Sequence, residues 1–451
     1  MRKNLLISKI TSVILAAMLA FAYTAAAVYA DEPSGSGTQE EPYIVKTADE
    51  LLALGEMEEV GNVRLDADID MSGVTGKSCI IQKLTGEFDG NGHTISNLVL
   101  KGGKGENQYT PFKTGFIGEL SGTVKKLMIS NVSVEDRSID SSNAVGLLAA
   151  YVPAGANAKI DNCFVSGEVV STKSYMLFIG AFVGYIDGAS GIETQFTLSN
   201  SLSNVAITCA SSNYGGGIIG VMSNSISVIV DKSVVLGDVT GGTACGMVGY
   251  FRSYDVSFDI KNSYIGGKIS GSNSKSYGIG YNTTALSKRS CKNFYYDNEK
   301  NKVEHSWESF QMFYREGMPK LTGYTGLATE DMKKLTIDGF ENSDDFDGYP
   351  VPVWTAAPEP VPDYTFSVKF DADNNALVSV PVKGNYYIIF TAYDDENGLI
   401  SLSAEKKDFK VGENQKVTPS DEFNPASAAK IRAMLWNSPV DLCPLTEAAE
   451  K

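Results

Sequence analysis

The chain is poor in histidine, tryptophan and positive charge. Its 451 residues include 2 His and 3 Trp. Two histidines, His93 and His305, leave no room for a His-rich metal centre and little for an imidazole-based triad. Lys and Arg number 38 against 54 Asp and Glu, for a net charge of −16. That acidity makes nucleic acid and anionic membrane surfaces poor partners. The six cysteines (Cys79, Cys163, Cys209, Cys245, Cys291 and Cys443) form no CxxC pair and no local cluster. In a chain long enough for a large core, such spacing reads as buried thiols rather than a disulfide framework. What the chain does have is glycine, 44 residues, together with much Ser, Asn, Val and Ile. This is the composition of short strands and tight turns in a folded protein of several units.

The first 30 residues read as a signal peptide. Arg2, Lys3 and Lys9 precede an apolar, Ala-rich run over 10–27, and Val28-Tyr29-Ala30 offers small residues for cleavage. An uncleaved membrane anchor is the alternative, and either implies export. After cleavage, with no membrane insertion of the mature chain, 35 basic residues (38 less these three) face 54 acidic ones, a net charge of −19.

The middle of the chain is a repeat. One motif begins at Ile95, Val124, Ile160, Leu198, Val230 and Ile260, with Asn97, Lys126, Asn162, Asn200, Lys232 and Asn262 at its third position. A second reads Gly-apolar-apolar-Gly, as in Gly115-Phe116-Ile117-Gly118, Gly217-Ile218-Ile219-Gly220 and Gly246-Met247-Val248-Gly249. Looser copies are Gly146-Leu147-Leu148-Ala149, Ala181-Phe182-Val183-Gly184 and Gly278-Ile279-Gly280. The two motifs alternate without exception. Each is a short strand bounded by turn residues, and neither can bury its apolar side alone. Copies stacked in parallel bury it jointly, with equivalent residues in ladders. The Asn ladder suits an inward or corner position, with Lys126 and Lys232 reaching solvent. The glycines allow a sharp corner or close approach of neighbouring coils.

Before the repeats, Thr47-Ala48-Asp49-Glu50 is a capping box that predicts a helix over 48–58 covering the first coil. Residues 291–354 lose the repeat and read as the opposite cap, with a short helix starting at Thr329. Residues 355–363 are a Pro-rich linker. Alternating runs beyond it, such as Phe366 to Phe370 and Tyr386 to Phe390, predict a small antiparallel β-sandwich over 364–451.

The segment Gly86 to Leu98, containing Gly90-Asn91-Gly92-His93, followed by the Gly-apolar-apolar-Gly copies, resembles the GLUG-motif repeat proteins. The lead-in from Pro42 and the closing run Gly348 to Trp354 are also similar to the ends of those domains. The resemblance covers 42–354 and departs from the pattern at Ala149 and 278–280. It implies a right-handed parallel β-helix in a bacterial surface or secreted protein, with adhesion or envelope association. The tail Met434 to Ser438 and Cys443 to Thr446 resembles a C-terminal module of exported clostridial proteins. That implies a Gram-positive surface. Neither resemblance carries over a catalytic residue.

The residues offer little chemistry. Glycoside hydrolysis needs two carboxylates a defined distance apart, but the ladder Glu168, Ala206, Asp238, Lys268 mixes residue types and reads as a solvated face. His93 sits in a turn, and His305, near Glu304 and Trp307, reads as a surface residue. The acidic turns Asp371-Ala372-Asp373, Asp394-Asp395-Glu396 and Asp344-Asp345 are weak calcium candidates and sound turns without a metal. Trp354 and Trp436 read as packing residues that could instead stack on sugars.

The expected fold is therefore all-β. A parallel β-helix (solenoid) with a short helical cap occupies 42–290 after a flexible leader at 31–41, its second cap 291–354, and the sandwich 364–451. No catalytic, cofactor-binding or metal residue is assigned. The expected function is an exported, non-enzymatic, adhesin-like protein that binds a glycan or protein partner through the β-helix. A β-helix polysaccharide lyase or glycosidase and a structural envelope spacer are the alternatives.

Overall fold

The computed structural model describes residues 32–103, 111–135, 143–171, 177–252, 256–272, 276–281, 286–301, 311–313, 322–353, 366–380, 384–409, 412–420, 422–436, 444–446 and 448–451. The segment expected to be a signal peptide, His305, Trp307, Trp354, the expected Pro-rich linker and Cys443 lie outside them. The chain divides into two compact units, one ending at Ala357 and the other beginning at Pro358.

The first unit is a parallel β-solenoid of about six turns. One coil shows how the sequence builds it. Thr194–Ser199 pairs in parallel with Asn157–Asp161 before it and Ile226–Asp231 after it. Phe196 and Leu198 point inward and are buried, while Gln195 is exposed and Thr197 and Ser199 are half-buried. The chain turns at Asn200. It continues through Leu202–Gly216, turns again at 217–218, and closes with Ile219–Met222. Equivalent inward residues of successive coils stack as Phe196, Val228 and Phe258, and as Leu198, Val230 and Ile260, all at most 1% exposed. Each such side chain contributes ~1.5–3 kcal/mol relative to exposure.

The Asn ladder is the first corner. Asn97, Lys126, Asn162, Asn200, Lys232 and Asn262 all have φ between 48° and 59°. This left-handed conformation costs most side chains ~1–2 kcal/mol and is least unfavourable for Gly and Asn. The amide side chains then bond to the coil before: Asn200 Nδ2 donates to Asp161 Oδ1 at 2.8 Å and Asn262 Nδ2 to Asp231 Oδ1 at 3.0 Å. The next position carries Cys163, Ser201, Ser233 and Ser263, all fully buried. Ser201 Oγ donates to the Ser199 carbonyl and accepts the Cys163 amide. Ser263 Oγ likewise donates to Lys261 and accepts from Ser233. Inside an otherwise apolar core, these hydroxyls are satisfied.

The second motif marks close approach. A Cβ on Gly220 would lie 2.5 Å from the Gly184 carbonyl oxygen, and one on Gly249 2.6 Å from that of Gly220. The strand register also corrects one sequence alignment. Ala149 pairs with Ile117 and Val183, so Leu147-Leu148-Ala149-Ala150 is the equivalent segment, one residue on from Gly146 to Ala149.

Three expectations at the ends of the unit change. The helix is Ala48–Gly55, with both halves of the capping box formed and Leu51 and Leu54 buried over the first coil. The stretch before Pro42 is part of the fold rather than a flexible leader: Ser34 bridges to Ile44, and Gly37 accepts the Asn62 amide at 2.8 Å. The solenoid also continues past residue 290. Leu286–Asp297 pairs along Val256–Ile265, Asn293 repeats the left-handed corner with φ 51°, and Tyr324–Leu327 adds another strand. Cys291-Lys292-Asn293 is thus a further copy of the first motif.

The segment after Leu327 is a strap along the side of the solenoid, not a lid over its end. Phe164, Leu202, Val234, Tyr264 and Tyr295 form an outward column on successive coils. Met332, Ile337, Phe346, Tyr349 and Val351 pack over that column. Phe346 meets Phe164 edge to face at 5.7 Å, and Tyr264 donates to the Pro350 carbonyl. The anchor is Asp297, fully buried. It accepts Tyr349 Oη at 2.6 Å, Thr329 Oγ1 at 2.7 Å and the amides of Glu299 and Lys300. Burial alone would raise this carboxyl, but the hydrogen bonds outweigh it and hold it below its ordinary value.

The second unit has two antiparallel sheets around one core that includes Val378, Ile388, Phe390 and Leu435. Its longest pairing joins Gly384–Tyr393 to Leu399–Phe409. This is the small sandwich expected from the alternating runs.

Candidate functional site

The outer surface of the solenoid differs in chemistry from one stack of strands to the next. The first stack is polar. Its outward column, half-buried except at exposed Lys292, reads Asp89, Lys125, Asp161, Ser199, Asp231, Lys261, Lys292 in register. Lys125 pairs with Asp89 at 3.3 Å and with Glu87 at 2.6 Å, and Lys261 with Asp231 at 3.5 Å. The ladder Glu168, Ala206, Asp238, Lys268 is also in register and exposed on every coil. It gathers no carboxylates.

The strands on either side of the glycine corner carry a second, external apolar stack. Ala144, Phe178 and Tyr214 form one column; Tyr151, Tyr185, Val221, Tyr250 and Tyr281 form the other. They pack on one another in a seam outside the main core. Tyr151 stacks on Tyr185 at 5.6 Å, and Tyr214 on Tyr250 at 4.7 Å. Because these rings lie face to face along the axis, their faces are taken by neighbours and solvent sees edges and hydroxyls. Tyr151 Oη donates to Asp187 Oδ2 at 2.6 Å, and Ser223 Oγ donates to Oδ1 of the same carboxylate at 2.8 Å. Burial and that carboxylate push the Tyr151 hydroxyl far above its ordinary value, so it remains a donor.

At its N-terminal end the seam opens into a cleft. In the first coils the same columns hold Lys113 in place of an aromatic ring, and Lys83 followed by Glu119. The resulting space has a volume of about 420 Å³. Ser78, Gln82, Lys83, Phe112, Lys113 and Glu119 line it. Lys113 forms an ion pair with Glu119 and sits 5.0 Å over the Tyr151 ring. Lys83 binds Glu59 at 2.6 Å, and that hydrogen bond holds the Glu59 carboxyl below its ordinary value. The sequence gives no local signal for this cleft; it emerges only when coils are aligned.

The remaining candidates have structural surroundings. His93 Nδ1 lies 3.2 Å from Asp68 Oδ1, and Asp68 also accepts the Thr94 amide. Asp371 accepts the amides of Asp373 and Asn375 and pairs with Lys416 at 3.0 Å. Burial opposes these bonds, yet they hold its carboxyl far below its ordinary value. Asp394 accepts the Glu396 and Gly398 amides of its hairpin turn. Asp344–Phe346 is a 3₁₀ turn ending at left-handed Asp347. Trp436 ends an inner strand of the sandwich, half-buried. Among the described residues, no three His, Cys, Asp or Glu side chains are placed to hold a metal. Cys79, Cys163, Cys209 and Cys245 are buried free thiols and Cys291 is half-buried. Burial pushes Cys79 up to about 11 and Cys163, Cys209 and Cys291 up to about 12.

No family model matches the chain. A segment of 189 residues, 38% of the chain, is 26% identical to halomucin of Haloquadratum walsbyi, and the match spans 2% of that protein's length. A crystal structure of a Bacteroides ovatus protein provisionally called an immunoglobulin A1 protease overlaps 71% of this chain and 95% of that one. The TM-score is 0.46 and the identity 20%, which is no guide to activity.

Proposed function

We propose that the protein is exported and acts, at the cell surface or in secreted form, as a non-enzymatic interaction protein. Its outer solenoid faces would hold a glycan or protein partner. The observation that supports this most is the way charge is laid out. On the first stack, Asp89, Lys125, Asp161, Asp231 and Lys261 are spread along the axis and neutralise one another coil by coil. Such a surface repeats a few polar groups over a long face, which suits extended contact more than focused chemistry. The leader and the GLUG-like repeat agree with a surface or secreted location, and a Gram-positive envelope fits the C-terminal module. No cofactor is part of this reading, nor is calcium at the acidic turns.

A polysaccharide lyase or glycosidase is the competing reading, and the cleft beside Glu119 is the feature in its favour. A general acid there would need a carboxyl raised toward neutrality. Glu59 is shifted the other way, and Glu119 is tied to Lys113. The test is binding of mature protein, residues 31–451, to glycan arrays and extracellular-matrix proteins, alongside assays for sugar release. Binding without turnover is expected. Turnover would establish the enzyme, and binding to neither class would leave the spacer.

A further inference from the structure

The cleft at the N-terminal end of the aromatic seam has the make-up of a ligand site, and the geometry points to a saccharide subsite for a neutral mono- or disaccharide unit of a glycan. This rests on the binding function proposed above and gives it a place. The cleft is a consequence of residue type at two columns. From Tyr151 onward the seam is filled by apolar side chains, most of them aromatic rings, but the preceding coils put Glu119 and Lys83 in that column and Lys113 in the facing one. Charged side chains leave the corner open where tyrosine closes it, and 420 Å³ is within the range of small-ligand pockets.

The lining selects the ligand. Lys83 and Lys113 supply donors, Glu58 and Glu119 supply carboxylate acceptors, and Gln82 and Ser78 are the further polar residues of the lining. The basic groups are already neutralised, Lys113 by Glu119 and Lys83 by Glu59. A phosphate or sulfate would therefore meet Glu119, and a cation would meet the lysines. A neutral polyol has hydroxyls that both donate and accept, so it can satisfy ammonium and carboxylate together without stranding either charge. Phe112 gives an apolar wall. Its ring lies against Gly103, where even a Cβ would approach within 2.5 Å. It is thereby held for contact with the C–H face of a sugar. The ion pairs fix Lys83, Lys113 and Glu119 before binding, which lowers the ordering cost. The stacked tyrosines contribute a rigid shoulder, since their own faces are occupied.

The experiment is a calorimetric screen of residues 31–451 with free neutral, N-acetylated and uronic mono- and disaccharides, with inorganic phosphate as a separate arm. The strongest sugar is then titrated into Glu119→Gln and Lys83→Gln, each checked for wild-type circular dichroism, and into Lys369→Gln, an exposed position of the second unit. The expected result is at least a tenfold loss of affinity in Glu119→Gln and Lys83→Gln and none in Lys369→Gln. Sugar binding that both cleft variants retain would overturn the assignment of the cleft while leaving the glycan-binding function standing. Binding of phosphate in place of any sugar would overturn the ligand class. If the wild-type protein binds no sugar here and no glycan or matrix protein on arrays, the function proposed above falls, and the cleft assignment falls with it.

Discussion

The left-handed corner makes opposite predictions for residues at equivalent positions. Asn200 and Lys126 have φ of 48° and 50°. Asn200→Ala forces a poorer left-handed residue into the corner, at ~1 kcal/mol or more. It also removes the 2.8 Å bond to Asp161 Oδ1, another ~1 kcal/mol for a half-exposed charged acceptor. The expected loss is about 2–3 kcal/mol. Lys126→Asn should do the reverse. Lys126 is exposed, and the coil before places Asp89 beside Lys125, where Asp161 stands relative to Ser199. An asparagine there relieves the backbone and gains an acceptor, for a gain of about 1 kcal/mol, a roughly fivefold change in the unfolding constant. Lys232→Asn tests the same backbone without that gain. It has Ser199 one coil earlier and gives up the 2.7 Å pair with exposed Asp338, so it should be close to neutral. Urea unfolding of residues 31–451, followed by circular dichroism through the solenoid transition, measures all three. If Lys126→Asn is neutral or destabilising while Asn200→Ala costs under about 0.5 kcal/mol, conformational preference does not explain the ladder.

Gly220→Ala should destabilise by ~2 kcal/mol or more, because its Cβ meets the Gly184 carbonyl at 2.5 Å, whereas Gly73→Ala, with nothing within 4 Å, should be neutral in thermal melts. The Asp297 carboxyl is lowered in the folded state, so its stabilisation is complete above the unfolded value of ~3.9 and is lost as pH falls through the folded value. Stability measured from pH 6 down to 2 should fall less steeply in Asp297→Asn, from a lower plateau; identical slopes would remove Asp297 as the acid-sensitive anchor of the strap. Cys163 and Cys209, buried and pushed up to about 12, should not react with Ellman's reagent at pH 8 until the protein is unfolded in urea. Rapid labelling of either in the native protein would contradict the packing.

The parts of the fold that could be read from the sequence were those written into every coil. Asn97, Asn162, Asn200 and Asn262 recur because one backbone conformation recurs. Gly220 and Gly249 are needed because neighbouring coils approach too closely for a Cβ. The capping box at Thr47 and Glu50 is local and formed as expected. The strap was not legible for the converse reason. Met332, Ile337, Phe346 and Tyr349 have no shared period, and their place is set by an outward column on strands up to four coils apart. A column such as Phe164, Leu202, Val234, Tyr264 and Tyr295 looks in sequence like any strand residue, and only its covering shows that it faces outward.

The candidate site follows the same logic one step further. In sequence, Lys83, Lys113 and Glu119 are ordinary charged residues on two strands. They become a cleft only because the solenoid register places them at the column positions of Tyr151, Tyr185 and Ala144. In a stacked fold, the backbone repeats the geometry and departures from the repeat create recognition. A column of tyrosines interrupted only by Val221 closes the corner with packed apolar side chains; the same column, switched to lysine and glutamate at its first coils, leaves space and keeps hydrogen-bonding capacity. Filling that space tests the idea from the opposite direction to deletion. Glu119→Tyr would extend the Tyr151–Tyr185 stack by one ring, replacing the Lys113 ion pair with a cation–π contact of ~0.5–1 kcal/mol. The expected variant is folded, at least as stable as wild type in urea, and closed to any sugar that the wild-type cleft holds. A stable Glu119→Tyr protein with undiminished sugar affinity would show that binding takes place elsewhere on the solenoid.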